Sequence, residues 1–175
     1  MRLALMPHHD TPCPSVAGVD VEIARRARTL TLRFAVVGAV AGLRLPPVST
    51  SRRADELWKH TCFEAFVRPA LDEAYYEFNF APSTHWAAYR FSGYRQNMAL
   101  ADEIAAPEIE TALHANRYEL RAMVALPSDA AWRVALSAVI EEASGAKSYW
   151  ALAHPPGKPD FHHADSFVLE LPPDP

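Results

Sequence analysis

Three stretches of this chain alternate apolar and polar residues at every second position, and that period restricts the fold more than any other feature. In Thr29-Leu30-Thr31-Leu32-Arg33-Phe34 the even positions are apolar and the odd ones polar. Tyr118, Leu120, Ala122, Val124 and Leu126 repeat the form with Glu119 and Arg121 opposite, as do Trp132, Val134, Leu136, Ala138 and Ile140. A strand sends successive side chains to opposite faces, so each run reads as a half-buried strand with one core face. Further strands are expected near residues 2–6, 19–25, 40–45, 62–68, 75–80, 86–91, 108–114, 148–153 and 166–171. Short strands between Pro, Ser, Asn and Asp turns describe an all-β sandwich or barrel, and a two-sheet antiparallel β-sandwich is the expectation. The best helix candidate is a turn or two over 52–58, N-capped by Ser49 or Ser51. The acidic, alanine-rich stretch 99–110 reads as an exposed connection or as a short helix ending before Pro107.

Residues 1–175 fit one domain, long enough to bury a core without disulfides or metal. Half the chain is apolar and 22% is charged, a balance that excludes disorder. The 17 basic residues stand against 21 acidic ones and form no sustained positive stripe, so a nucleic-acid partner is not expected. The apolar run Leu3 to Met6 is too short for a signal peptide, and no stretch has the length of a membrane span; a cytoplasmic location without a membrane partner is the expectation. Cys13 and Cys62 make neither a disulfide framework nor a zinc motif.

Polar side chains occupy one face of several strands. Glu64 shares a face with Phe66, while Phe63, Ala65 and Val67 take the other. Tyr76, Phe78 and Phe80 look inward, with Tyr75, Glu77 and Asn79 opposite. Trp86, Ala88 and Arg90 share a face in the next run, and Arg121 projects from a later one. If these strands are neighbours, one sheet presents carboxylates, an amide, guanidinium groups and large aromatics, a surface suited to a polyhydroxylated ligand. The competing reading is a solvated face with ion pairs across strands. Glu64 and Glu77 would serve as a glycosidase pair only at a spacing that sequence does not give. Between Ser148 and Asp165, His154, Asp160, His162, His163 and Asp165 are of metal-binding type, but their spacing matches no ligand signature. That proline-rich loop reads as one pinned by side-chain hydrogen bonds, and His8-His9-Asp10 reads as a turn. No nucleophile elbow, phosphate loop or dinucleotide fingerprint is present, and Cys62 beside His60 reads as a buried thiol.

Taken in order, Trp58-Lys59-His60-Thr61-Cys62-Phe63-Glu64, Tyr76 to Ser83 running into Trp86, Tyr89, Tyr94 and Arg95, and Ser148 to Leu152 with His154-Pro155 and Pro159-Asp160-Phe161-His162 form a set. With the closing strand Phe167 to Leu171, this set resembles the DOMON-like domains, a β-sandwich superfamily that includes the family 9 carbohydrate-binding modules. The resemblance implies two antiparallel sheets with any ligand on one sheet or its rim, sugar in some branches and haem in others. It makes Trp58, Trp86 and Trp150 candidates for stacking on a sugar. Met98, Met123 and the eight histidines are of haem-ligand type, with no haem motif linking them.

The resulting expectation is a non-catalytic module that binds a carbohydrate or related polar small molecule on one sheet, with no cofactor and no metal. Glu64, Glu77 and Asn79 would accept from hydroxyls, Arg95 and Arg121 would donate, and Trp86 would stack, provided that it is partly exposed on a concave face. A structural sandwich for a protein partner or a second copy is the alternative from another class, and a haem-binding or divalent-metal-binding domain is a third.

Overall fold

The structure is a computed structural model describing residues 1–173. It has twelve strands: β1 (Arg2–Pro7), β2 (Val16–Arg26), β3 (Thr29–Gly38), β4 (Cys62–Pro69), β5 (Tyr75–Phe80), β6 (Trp86–Phe91), β7 (Ala99–Leu100), β8 (Glu108–His114), β9 (Arg117–Ala125), β10 (Trp132–Glu141), β11 (Lys147–Ala151) and β12 (Leu169–Leu171). Among the described residues the helical pieces are three-residue 3-10 turns.

The pairings between these strands are all antiparallel and run β7-β6-β5-β4-β10-β11-β1-β2-β3-β9-β8, with β12 also on β10. β1 is where one sheet becomes the other: Arg2 to Leu5 pair with β2, while Met6 and Pro7 pair with β11. The front sheet is therefore β1-β2-β3-β9-β8, and the back sheet is β7-β6-β5-β4-β10-β11. Their inner faces meet in one core. Leu30, Leu32 and Phe34 from β3 lie opposite Val124, Ala122 and Leu120 of β9, all at most 1% exposed. Phe63, Ala65 and Val67 of β4 and Val134, Leu136 and Ala138 of β10 close it from the back. Each large apolar side chain moved from water to this interior contributes about 1.5–3 kcal/mol. The three alternating runs thus become β3, β9 and β10, with their apolar positions facing inward.

Four local expectations are corrected. Residues 40–45 form a 3-10 turn, Val40–Gly42, and a single bridge from Leu43 to Glu142 instead of a strand. The helix over 52–58 reduces to the turn Leu57–Lys59, entered through Glu56 in the left-handed region at φ 60°. Ser49 and Ser51 cap no helix; their hydroxyls donate to the Ser83 and Thr84 carbonyls at 3.2 and 3.1 Å, tying this segment beside β6. The stretch 99–110 holds β7, buried Ala101 and Ile104, and the start of β8, so it is a packed connection and not a helix. The last strand begins at Leu169, because Ala164–Ser166 are used in a turn.

The outer face of the back sheet is not left to solvent. The loop 152–168 and the turn Leu57–Lys59 fold over it, and Phe161 and Phe167 pack with Phe66, Tyr75, Ala87, Tyr89, Phe91, Ala135, Val139 and Ala151 in a second apolar cluster.

Candidate functional site

Strand register assembles a polar row on this roofed face. Ser137 of β10, Glu64 of β4 and Asn79 of β5 are cross-strand partners in line, and Glu77 lies one pleat along opposite Phe66. Residues two apart on β5 share a face, which brings Glu64, Glu77 and Asn79 together as read from the sequence. The Ser137 hydroxyl donates to Glu64 Oε2 at 3.1 Å, and Asn79 Nδ2 donates to Glu77 Oε1 at 2.7 Å. The Cys62 thiol points at Asn79 Oδ1 from 3.5 Å. Both glutamates are buried, at 2% and 4% exposure, yet both line an open cleft of about 360 Å³. The remaining lining is Trp58, Phe91, Arg95, Met98, Val139, Tyr149, Pro159, Phe161 and His162.

The roof is held by Asp160. Its carboxylate accepts from Tyr94 Oη at 2.5 Å, from Arg95 Nη2 at 2.9 Å and from the His162 backbone N–H at 3.1 Å. Arg95 itself sits at φ 54°, in the left-handed region, which directs the loop after β6 back toward Asp160. Its backbone N–H donates to Tyr75 Oη at 3.2 Å, and the same hydroxyl is hydrogen-bonded to His162 Nδ1 at 2.8 Å. The other ring nitrogen of His162, Nε2, lies 3.7 Å from Glu77 Oε2. The rest of the loop is pinned likewise. His154 Nε2 meets the Met6 carbonyl at 2.8 Å, and His8 Nε2 meets the Gly157 carbonyl at 2.9 Å.

Electrostatics follow from this enclosure. Burial, reinforced by the charge of Glu77, pushes the Glu64 carboxyl up to about 8. Burial also raises Glu77, to about 7, against the opposing pull of the Asn79 hydrogen bond and Arg95. Interacting carboxyls this close titrate as a pair. Burial, then Arg95, drives His162 down to about 4, so it is neutral at physiological pH and its contact with Glu77 is not an ion pair. The pair therefore has neutral donors around it, while the guanidinium on the cleft wall is engaged by Asp160.

Two expected site residues lie elsewhere. Trp86 is opposite Phe80 in the β5–β6 register, which places it in the inter-sheet core at 6% exposure with Arg53 stacked on its ring at 4.5 Å. The condition that it be partly exposed is not met. Arg121 stands on β9 in the front sheet and pairs with Glu110 at 3.1 Å. Trp150 is core as well, its indole N–H donating to Ser148 Oγ at 2.9 Å. Trp58 is the tryptophan that reaches the cleft, half-buried and edge-on to Tyr89 at 5.8 Å. Phe91, Tyr149 and Phe161 were not among the expected site residues. Their signal in the sequence is that each belongs to a face opposite a core residue or to the proline-rich loop. Of the metal-type residues, His8, His9 and Asp10 bring donor atoms within 4.8 Å of one another, in a turn outside the cleft lining.

No family model and no curated protein matches the sequence. Among solved structures, a Bacteroides uniformis protein proposed to bind carbohydrate superposes with a TM-score of 0.67 at 16% identity, over 95% of this chain and 84% of that one. The two share the antiparallel sandwich fold. A family 9 carbohydrate-binding module from Caldicellulosiruptor kristjanssonii, in complex with glucose and with cellotriose, overlaps 80% of this chain at TM-scores of 0.46 and 0.48 and identities of 13% and 14%, covering 69% and 67% of those chains.

Proposed function

We propose that this chain is a non-catalytic, cofactor-free carbohydrate-binding module whose ligand enters the cleft over β4 and β5. The observation that carries the reading is the cleft itself: buried hydroxyl acceptors, Glu64 and Glu77, at its floor beneath walls of Trp58, Phe91, Tyr149 and Phe161. Sugars offer an apolar C–H face to aromatic rings and hydroxyl donors to carboxylates, so one ring fits both demands at once. The fold shared with a protein proposed to bind carbohydrate supports the same reading. Arg95 remains a candidate donor at the rim. Trp58 replaces Trp86 as the stacking platform, and Arg121 has no part.

Isothermal titration against a panel of mono- and oligosaccharides tests this. The expected result is saturable binding of one sugar class, weakened on the order of tenfold or more in Trp58→Ala, since buried aromatic anchors dominate such sites. Binding unchanged by Trp58→Ala and Glu64→Gln would place the ligand elsewhere. Turnover of an aryl glycoside lost in both Glu64→Gln and Glu77→Gln would instead make the pair an acid and a nucleophile.

A further inference from the structure

Building on the carbohydrate reading, we propose that the ligand is a sugar carrying a protonated amine, whose ammonium group sits between Glu64 and Glu77 at the floor of the cleft. Two buried carboxylates in one cavity need compensation, because removing charge from water is expensive unless it is paired. The surroundings supply little. Ser137 and Asn79 give one neutral hydrogen bond to each glutamate, on Glu64 Oε2 and Glu77 Oε1. Among the described residues no hydrogen bond reaches the other oxygen of either one; neutral His162 stands 3.7 Å from Glu77 Oε2, beyond hydrogen-bond distance. No lysine lines the cleft, and Arg95 spends its Nη2 donor on Asp160 at 2.9 Å. Three carboxyl groups thus stand around one guanidinium.

A neutral hydroxyl would fill the space and leave the two carboxyls to hold their protons. An ammonium brings three donors and the missing positive charge to the two open oxygens, in hydrogen bonds roughly twice as strong as neutral ones. The aromatic walls favour the same choice, since their ring faces attract a cation. The strong hold of both glutamates on a proton is the same demand met by the smallest available cation.

Calorimetric titrations of the unsubstituted protein with glucosamine, N-acetylglucosamine and glucose at neutral pH test the proposal without a variant. Glucosamine is expected to bind at least about tenfold more tightly than either neutral sugar, the difference between charge-assisted and neutral hydrogen bonds. In Glu64→Gln and Glu77→Gln, each checked for a cooperative melt, that preference should shrink to about the level of glucose. Glucose binding as tightly as glucosamine overturns the amine and leaves the carbohydrate reading standing. Methylammonium matching glucosamine keeps a cation site but overturns the sugar. Calcium ion displacing glucosamine through the same glutamates overturns the proposal in favour of a metal, and no binding by any of the three sugars overturns both readings.

Discussion

The two outer faces of this sandwich carry similar residues and behave oppositely. On the front sheet, Arg2 pairs with Asp20 at 2.6 Å, Arg33 with Glu119 at 2.6 Å and Arg121 with Glu110 at 3.1 Å, and each of these side chains except Glu119 is at least 30% exposed. Charges there are solvated, balanced across strands and worth little individually. On the back sheet the same alternation puts Glu64 and Glu77 outward, but a roof of loop covers them and, among the described residues, no lysine or arginine forms an ion pair with either. An outward-facing charge thus means a ladder on one sheet and a candidate site on the other. The difference lies in what lies above the strand, not in the strand.

Several substitutions break or sharpen that contrast. Phe66→Ala removes the ring that meets His162 at 5.0 Å and Phe167 at 6.5 Å, and should destabilise by about 3–5 kcal/mol in denaturant melts while abolishing ligand binding. Unchanged stability would mean that the roof does not rest on it. Asp160→Ala cuts the bonds to Tyr94, Arg95 and the His162 backbone, and a loss of roughly 2–3 kcal/mol is expected, with faster amide exchange over 158–166.

The carboxylate pair makes the back face sensitive to pH. Glu64 and Glu77 bind protons more tightly folded than unfolded, so their stabilising contribution is complete below the ordinary carboxylate range and is lost as pH rises through about 7 and 8. His162 acts in the other direction: with a folded value near 4 against 6.5, it destabilises as pH falls through that interval. Melts above pH 6.5 therefore isolate the glutamates. There the Glu64→Gln, Glu77→Gln double variant should lose the alkaline decline, an effect on the order of 2 kcal/mol. A decline of equal size in the double variant would assign it to other groups. Smallest is Glu110→Ala on the front face, 73% exposed at its side chain, where a change within about 0.5 kcal/mol is expected at any pH. A larger one would show that the open ladder is not the neutral partner in this comparison.

Local period explains what the sequence disclosed. Leu30, Leu32 and Phe34 had to face a core, and Glu64, Glu77 and Asn79 had to leave it, because strand geometry alone decides these. Trp86 was misplaced for a different reason. Its run has apolar residues on both faces, and only the register with Phe80 says which is inward. Arg121 failed at the level of sheet membership, which is set by the partners β3 and β8. Arg95 was legible as a polar candidate but not as a roof anchor, since its partner Asp160 lies 65 positions away. Roofing is the least legible property of all: a loop rich in proline announces rigidity, and nothing in it names the face on which it will settle.

The passage of β1 from one sheet to the other bears on how this molecule avoids its own kind. A sandwich of two separate sheets has four lateral borders, each a row of unpaired peptide groups ready to template another chain. Here one strand stitches two of them shut, and the main path of pairing ends at β7 and β8, with the three-residue β12 as a branch on β10. β7 is two residues long, and β8 carries Glu108, Glu110 and His114. A border that short and a border that charged are poor nuclei for fibrils, so the seam protects solubility as well as shape.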